Sequence, residues 1–202
     1  MKTLPTPPSC GLVLLAAGAS QRMGRPKQLL SIAGRPLVRH VAESLLAGSL
    51  RPVVVVLGAH AAEVAAALDG LDVHRVVNPD WAEGLGSSLC AGVAALQQLE
   101  PRLAELIVAL ADQPNLSPAH LERLRETRRR TSRSVVASEC RGARMPPVLF
   151  AAEYFPRLLA LRGDAGARGL LQAAGAALAV VPADDLVDLD TPADYEAFIR
   201  WA

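Results

Sequence analysis

The chain has 202 residues, a length that fits one domain with a sizeable buried core. A hydrophobic fraction of 51% is typical of a globular protein, and a formal net charge of +1 gives no general attraction to nucleic acid or to a membrane surface. We therefore expect neither as a partner, and any anion-binding site must be local.

Cysteine usage indicates a reducing compartment. The three cysteines lie far apart and lack C-x-x-C spacing, so neither a disulfide framework nor a zinc site is indicated. The apolar stretch 169–183 is broken by Gln172, Gly175 and Pro182 and is shorter than the ~20 residues of a membrane span. We expect a cytoplasmic protein.

Residues 1–9 are rich in proline and predict a flexible lead, followed by one domain over 10–202. The short, continuously apolar run 11–16 predicts a first buried strand. Further strands are predicted at 52–57, 73–77, 105–111, 134–138, 148–150 and 178–182. Helices are predicted at 37–47, 61–68, from about 87, at 118–128, from the 163–168 turn and from 192. Alternating strands and helices favour a parallel sheet with right-handed crossovers.

The segment 15–30, which follows the first strand, has the chemistry of a phosphate site. Gly18 and Gly24 allow tight turns that leave backbone amides free to face an anion. Arg22 and Lys27 add positive charge, and Lys27 is the only lysine besides Lys2. A compact ammonium suits a point-charge role on phosphate. The spacing matches neither the Walker A loop nor a dinucleotide-binding G-x-G-x-x-G.

This segment resembles the signature L-A-A-G-x-S-x-R-M-G-x-P-K-x-L-L of molybdopterin cytidylyltransferases and related molybdenum cofactor nucleotidyltransferases. The resemblance implies a single three-layer α/β domain of the nucleotidyltransferase, Rossmann-like type, with a mixed, mostly parallel sheet. It implies catalytic roles for Arg22 and Lys27. The implied nucleotide-binding residues of this loop are Leu15, Ala16, Ala17, Gly18, Ser20 and Gly24. A surface turn with incidental basic residues is the alternative.

A second polar, glycine-rich segment, 78–92, leads into a predicted helix. It resembles the N-P-x-W-x-x-G-x-x-x-S-L-x-x-G segment of the same family, which lies near the nucleotide sugar and base. The resemblance implies nucleotide binding by Asn78, Gly86, Ser87 and Ser88. Helix capping by the Ser87 hydroxyl is an equally good explanation of the serines.

Two separated carboxylates are candidate metal ligands. Asp112 ends a predicted central strand, where open α/β sheets bind ligands, and Asp-Gln-Pro is also a common turn. It resembles the family's A-D-Q-P metal motif, which implies a catalytic role as well. Thr191 as N-cap and Asp194 three residues later explain a helix start but leave Asp190 free.

The closing segment resembles the family's D-x-D-T-P-x-D-Y element, which implies that Asp190 joins Asp112 on Mg²⁺, with Asp188 as the less favoured ligand. Two carboxylates so close repel each other. We therefore expect weak metal binding until the phosphates of a nucleotide supply further ligands.

The second half of the chain carries the candidate acceptor-binding residues. We predict a loop over 141–147 that leads into the strand 148–150, where this chain has Met145 at a position the family fills with glycine. Arg144 in this loop is a candidate for an anionic acceptor, with a plain surface loop as the alternative. The 163–168 turn resembles the family's G-D-x-G-A-R element, which adds Asp164 and Arg168, although Asp164 also suits an N-cap.

The implied reaction is Mg²⁺-dependent transfer of CMP from CTP to molybdenum-bearing molybdopterin with release of pyrophosphate. Guanylyl-transferring relatives tend to have Gly-Gly where this chain has Ala17-Gly18, which favours cytosine over guanine. Alternatives are a GTP-using enzyme, a transferase for another acceptor including the methylerythritol type, and a non-catalytic carrier of the molybdenum cofactor. Transient contact with a molybdoenzyme or its chaperone is a further expectation.

Overall fold

A mixed sheet of seven strands runs through the centre of the part of the chain that the structure describes. The structure is a computed structural model that describes residues 9–163 and 166–201. The predicted lead 1–9, apart from Ser9, and Asp164 lie outside the described residues. The strands are β1 (Cys10–Ala16), β2 (Ser31–Ile32), β3 (Arg35–Pro36), β4 (Val53–Leu57), β5 (His74–Val77), β6 (Glu105–Leu110), β7 (Val135–Cys140), β8 (Ala143–Ala151) and β9 (Leu178–Pro182).

The strand order is β5-β4-β1-β6-β8-β7-β9, and β2 and β3 form a separate hairpin. Strands β5, β4, β1 and β6 are parallel, β9 is parallel to β7, and β8 runs antiparallel to both of its neighbours. The prediction of a mixed, mostly parallel sheet is confirmed. Because β1 and β6 are central and parallel, their carboxyl ends place the loops that follow them side by side.

Helices cover both faces of the sheet. They are α1 (Leu37–Leu46), α2 (Ala61–Ala67), α3 (Leu85–Leu99), α4 (Pro118–Thr131), α5 (Phe155–Leu159), α6 (Arg168–Ala173) and α7 (Pro192–Trp201). Side chains alternate along β1, so that Leu12 and Leu14 pack with α1, α2 and α4, while Val13 and Leu15 pack with α3 and α5. The result is the three-layer architecture that the resemblance implies.

The predicted loop 141–147 is wrong. Strand β8 begins at Ala143, directly after a turn in which Arg141 and Gly142 both have positive φ. The sequence misled because Pro146 and Pro147 argue against a strand, since proline has no N–H to donate to a ladder. The pairing of β7 with β8 shifts register between Ala137 and Ser138, opposite the prolines, which removes the need for those donors.

Two helix starts show where capping could be predicted. Ser117 accepts a hydrogen bond from the His120 amide at 3.3 Å, and the Thr191 hydroxyl accepts one from the Asp194 amide at 3.3 Å. The Ser87 cap is wrong. Helix α3 starts two residues earlier, and the Ser87 hydroxyl donates to the carbonyl oxygens of Asp80 and Gly84.

None of the helices in the ranges described above is both long and apolar enough to cross a membrane.

A buried polar chain joins α4 to the irregular part of β7 and β8. The His120 ring contacts the Arg123 guanidinium at 2.7 Å through Nδ1 and the Ser138 hydroxyl at 2.7 Å through Nε2. Ser138 in turn donates to the Pro147 carbonyl at 2.8 Å. Burial, together with the positive charge of Arg123, lowers the pKa of His120 from its ordinary value of 6.5 to about 4.

This shift predicts a pH-dependent loss of stability. Below pH 6.5 His120 becomes protonated in the unfolded chain, whereas in the folded protein it stays neutral down to about pH 4. The free energy of unfolding is therefore unaffected above pH 6.5 and decreases as the pH falls from 6.5 to about 4. The loss is on the order of 3 kcal/mol. We expect urea unfolding at pH 7 and pH 4.5 to show a smaller drop for His120→Gln than for the unchanged protein. Equal drops in the two proteins would contradict this account, and His74→Gln, at an exposed position, is the control.

Candidate active site

The first loop is held in shape by a buried glutamine. Gln28 is 2% exposed, and its amide Nε2 donates to the carbonyl oxygens of Ala16 at 3.0 Å and Gly18 at 2.7 Å. The Ser20 hydroxyl donates to Gln28 Oε1 and accepts from the Lys27 amide at 3.0 Å. Sequence reasoning missed Gln28, whose signal is a polar side chain between the charged Lys27 and two leucines.

The loop amides divide into two groups. Those of Met23 and Gly24 donate to the backbone carbonyl of Ser20, at 3.0 and 3.2 Å, and so serve the turn. Gly24 has φ +70°, in the left-handed region, which explains a glycine there without a ligand. The expectation of free amides is therefore restricted to residues before Met23.

Lys27 connects the first loop to both candidate metal ligands. Its ammonium contacts Asp112 Oδ2 and lies 3.0 Å from Asp190 Oδ1. Arg22 Nη2 lies 3.0 Å from Asp190 Oδ2. Burial opposes the charge on Lys27, but the carboxylates of Asp112 and Asp190 outweigh it and raise the pKa of the ammonium. The structure thus brings together the four charged residues that the sequence indicated.

The backbone explains why Asp112 and Asp190 meet. Asp112 follows β6, and its carbonyl oxygen accepts from the Leu189 amide at 3.0 Å, which ties the closing segment to the end of the central strand. The side chain of Asp194 accepts from the amides of Asp190 and Thr191, at 3.2 and 2.7 Å. The start of α7 therefore fixes the position of Asp190.

Asp188 lies beside this pair on a separate anchor. Its Oδ1 accepts from Gln113 Nε2 at 2.9 Å, and the same nitrogen donates to the Pro146 carbonyl at 3.0 Å. Burial, with the negative charges of Asp112 and Asp190, raises the pKa of Asp188 against the lowering effect of Gln113.

The donor set suits a divalent cation that also has ligands from a substrate. Asp112 Oδ1 is buried and has no hydrogen-bond partner among the described residues, so it is free to accept a cation. No group of three or more histidine, cysteine or acidic side chains within those ranges is arranged to hold a metal alone. A hard cation such as Mg²⁺, which keeps waters and phosphate oxygens, fits the carboxylates of Asp112 and Asp190.

The second polar segment forms one wall of the site. A Cβ atom at Gly58 would lie 2.6 Å from both the Ala17 carbonyl oxygen and the Trp81 Cβ atom, so glycine lets these two segments meet. Trp81 lines the site but was not predicted as a site residue, although it lies in the polar segment 78–92. Asn78 Nδ2 donates to the hydroxyls of Ser87 and Ser88, at 2.9 and 3.0 Å, which braces this wall from behind.

Gly163 and Gly166 both lie against the start of α3. The Gly86 amide donates to the Gly163 carbonyl at 2.9 Å, and a Cβ atom at Gly86 would lie 2.9 Å from that oxygen. Arg168, the first residue of α6, lines the site. Arg144 instead donates to the Leu171 carbonyl at 3.3 Å. Asp164 lies outside the described residues.

These elements enclose a cavity of about 630 Å³ at the carboxyl ends of β1 and β6. Its charged lining consists of Arg22, Lys27, Asp112, Arg168, Asp188 and Asp190. The predicted nucleotide-binding residues that line it are Leu15, Ala16, Ala17, Gly18, Ser20 and Ser88. Gly24, Asn78, Gly86 and Ser87 do not line it, and their contacts give each a structural role.

A cavity of about nucleotide size beside a loop with basic residues and paired carboxylates, in a three-layer α/β fold, is the arrangement expected of the nucleotidyltransferase class. Residues 12–180 match the MobA-like NTP transferase domain, and the chain belongs to this family. The resemblance to molybdenum cofactor nucleotidyltransferases is thereby confirmed at the level of the family.

Two relatives match over most of their length. Nicotine blue oxidoreductase of Paenarthrobacter nicotinovorans is 41% identical over 167 residues, covering 79% of this chain and 80% of that protein. Purine catabolism protein PucB of Bacillus subtilis is 32% identical over 201 residues, covering 93% and 95%.

Among solved structures, Rv0371c of Mycobacterium tuberculosis superimposes with a TM-score of 0.79 at 27% identity, covering 96% of this chain and 98% of that one. A manganese complex of Rv0371c gives a TM-score of 0.76 at 26% identity, covering 96% and 100%.

The contacts of the Gln28 side-chain amide predict that the conformation of the first loop depends on it. Gln28→Ala removes the donor to two backbone carbonyls, and we expect the free energy of unfolding to fall by about 1–3 kcal/mol. Nucleotide affinity should fall as well, because the loop loses its shape. Urea unfolding and calorimetric nucleotide titration measure the two effects, with Gln98→Ala, on the exposed side of α3, as control. Unchanged stability and affinity would show that the loop holds its shape without Gln28.

Proposed function

We propose that the protein transfers CMP from CTP to the terminal phosphate of molybdenum-bearing molybdopterin and releases pyrophosphate. The observation that carries the proposal is the meeting of two loop cations and two carboxylates in one cavity, namely Arg22, Lys27, Asp112 and Asp190. Membership of the MobA-like NTP transferase family supports nucleotidyl transfer as the reaction class.

Arg22 and Lys27 divide the triphosphate between them. Arg22 is 71% exposed at the cavity mouth, where its guanidinium can hold the β- and γ-phosphates together with the amides before Met23. Lys27 is deeper, with 19% of its side chain exposed, and is suited to offset the charge that develops on the α-phosphate. Phosphoryl transfer needs mainly such positioning and charge neutralisation. An acceptor phosphate is already ionised at neutral pH and needs no general base.

Asp112 and Asp190 are the residues that would hold Mg²⁺. The unpartnered Oδ1 of Asp112 supports this assignment, and Asp190 is held in place by the start of α7. When bound, Mg²⁺ neutralises phosphate charge and helps to align the triphosphate. The manganese complex of Rv0371c supports a divalent metal in a relative of this fold at 26% identity.

Two features support the choice of base and acceptor. Ala17 lines the cavity next to Trp81 and Gly58, where its methyl group leaves less room for a purine than glycine would. Arg168 lines the same cavity and supplies a positive charge for an anionic acceptor. The contact of Arg144 with the Leu171 carbonyl gives it no such position, so the acceptor proposal relies on Arg168.

An oxidoreductase is the second candidate function, because the relative with 41% identity is named nicotine blue oxidoreductase. The same cavity would then hold a nucleotide cofactor instead of a nucleotide substrate. Oxidation of a reduced nicotinamide nucleotide by a dye substrate, without pyrophosphate release, would favour this candidate over the transferase.

The proposed reaction predicts pyrophosphate release that depends on molybdopterin. We expect release with CTP, Mg²⁺ and molybdenum-bearing molybdopterin together, and slower release with GTP at the same concentration. A coupled pyrophosphate assay measures both, and a mixture without molybdopterin is the control. Faster turnover with GTP would overturn the base assignment. Absence of release with every NTP would instead favour a carrier of the molybdenum cofactor.

Lys27 should be required as an ammonium. We expect Lys27→Ala to lower kcat by about a hundredfold or more, as expected for loss of a charge aimed at the transition state. Lys27→Arg should restore little, because a planar guanidinium does not replace a compact ammonium. Arg25→Ala removes a cation of the same loop whose guanidinium lies 5.5 Å from the centre of the Tyr195 ring, and it should retain turnover. Near-normal rates in both Lys27 variants would exclude the proposed role.

A further inference from the structure

In the structure the Lys27 ammonium lies between the carboxylates that would bind the metal. It contacts Asp112 Oδ2 and is 3.0 Å from Asp190 Oδ1, with only 19% of its side chain exposed. The distance from Asp190 is that of a direct charge-assisted hydrogen bond. The ammonium therefore contacts both carboxylates, and the like-charge repulsion expected from the sequence is not the dominant interaction here.

Both carboxylate oxygens of Asp190 contact a cation. Oδ1 faces Lys27, and Oδ2 faces Arg22 at 3.0 Å. At Asp112 the ammonium holds Oδ2, and only the buried Oδ1 lacks a partner among the described residues. Two cations thus balance two carboxylates. A divalent cation that reaches both acidic residues must displace the ammonium or share the carboxylates with it, and two positive charges a few ångströms apart repel each other.

Arg22 and Lys27 both belong to the first loop, and the phosphates of a nucleoside triphosphate are an alternative partner for both. Phosphate oxygens can accept the hydrogen bonds that Arg22 and Lys27 now give to Asp190 and Asp112. The carboxylates would then be released for the metal. Arg22 and Lys27 would pair with the phosphates at the same time as Asp112 and Asp190 pair with the metal.

We propose that Lys27 is an internal counter-ion that occupies the metal position in the nucleotide-free protein and leaves it when the triphosphate binds. This inference rests on the proposed function, because it assigns the phosphates as the new partner of the ammonium. It makes metal and nucleotide binding one coupled event, in which each ligand raises the affinity for the other by the same factor.

The counter-ion role has a consequence that a simple phosphate ligand does not share. A lysine that binds phosphate but stays away from the carboxylates has little effect on the affinity for metal alone when it is removed. A lysine that occupies the metal position lowers that affinity, so its removal strengthens metal binding and weakens nucleotide binding. The two effects have opposite signs in one variant.

The experiment is a Mn²⁺ titration of nucleotide-free protein, with free Mn²⁺ followed by its electron paramagnetic resonance signal. We expect Lys27→Gln and Lys27→Met to bind Mn²⁺ about tenfold more tightly than the unchanged protein, within the usual range of coupling between sites. Arg25→Gln removes the same charge from the same loop, with its guanidinium over the Tyr195 ring, and should leave Mn²⁺ affinity unchanged. Adding Asp112→Asn to Lys27→Gln should abolish the gain.

Mn²⁺ affinity that is unchanged or weaker in both folded Lys27 variants would overturn the proposal. A gain that persists with Asp112→Asn, or that Arg25→Gln reproduces, would also overturn it, since the effect would then be general charge. Circular dichroism and thermal unfolding establish which variants are folded. The readout needs no turnover, so the two proposals can fail separately. If the Lys27 variants gain Mn²⁺ affinity but the unchanged protein releases no pyrophosphate, only the proposed reaction is refuted. If the unchanged protein turns over but the Lys27 variants show no gain in Mn²⁺ affinity, only the counter-ion role is refuted.

Discussion

The site depends on one interaction, the contact of the Lys27 ammonium with the carboxylates of Asp112 and Asp190 in a partly buried pocket at the carboxyl ends of the parallel strands β1 and β6. Asp112 is 8% exposed, and a nearby cation offsets the cost of burying its carboxylate. Lys27 supplies that cation in the structure. The fold serves this arrangement, because β6 delivers Asp112, the start of α7 delivers Asp190, and the loop after β1 delivers Lys27.

Uncharged contacts hold the charged groups in place. Gln28 fixes the carbonyl oxygens of Ala16 and Gly18 in the first loop, and the Leu189 amide ties the closing segment to the Asp112 backbone. The Gly86 amide holds the Gly163 carbonyl against the start of α3. None of these contacts takes part in the proposed reaction. Each determines whether a charged side chain lies within a few ångströms of its partner.

The sequence predicted those parts of the molecule that local patterns determine. Apolar runs located β1, β4 and β6 because buried parallel strands leave few polar positions, and Thr191 with Asp194 located the start of α7 because capping is local. Strand β8 was predicted too short, since its prolines are accommodated by a register shift that only the paired strand reveals. Gln28 and Trp81 were missed because their roles depend on contacts with Ala16 and Gly58, which lie elsewhere in the chain.

A structure of the protein with CTP and Mg²⁺ tests the central claim most directly. The account predicts that Asp112 and Asp190 lie within direct or one-water reach of the ion, with direct oxygen ligands at ~2.1 Å. It also predicts that the Lys27 ammonium has left Asp112 and contacts the α-phosphate. An ion bound away from either carboxylate, or a Lys27 ammonium that still joins Asp112 to Asp190 beside the bound nucleotide, would contradict it.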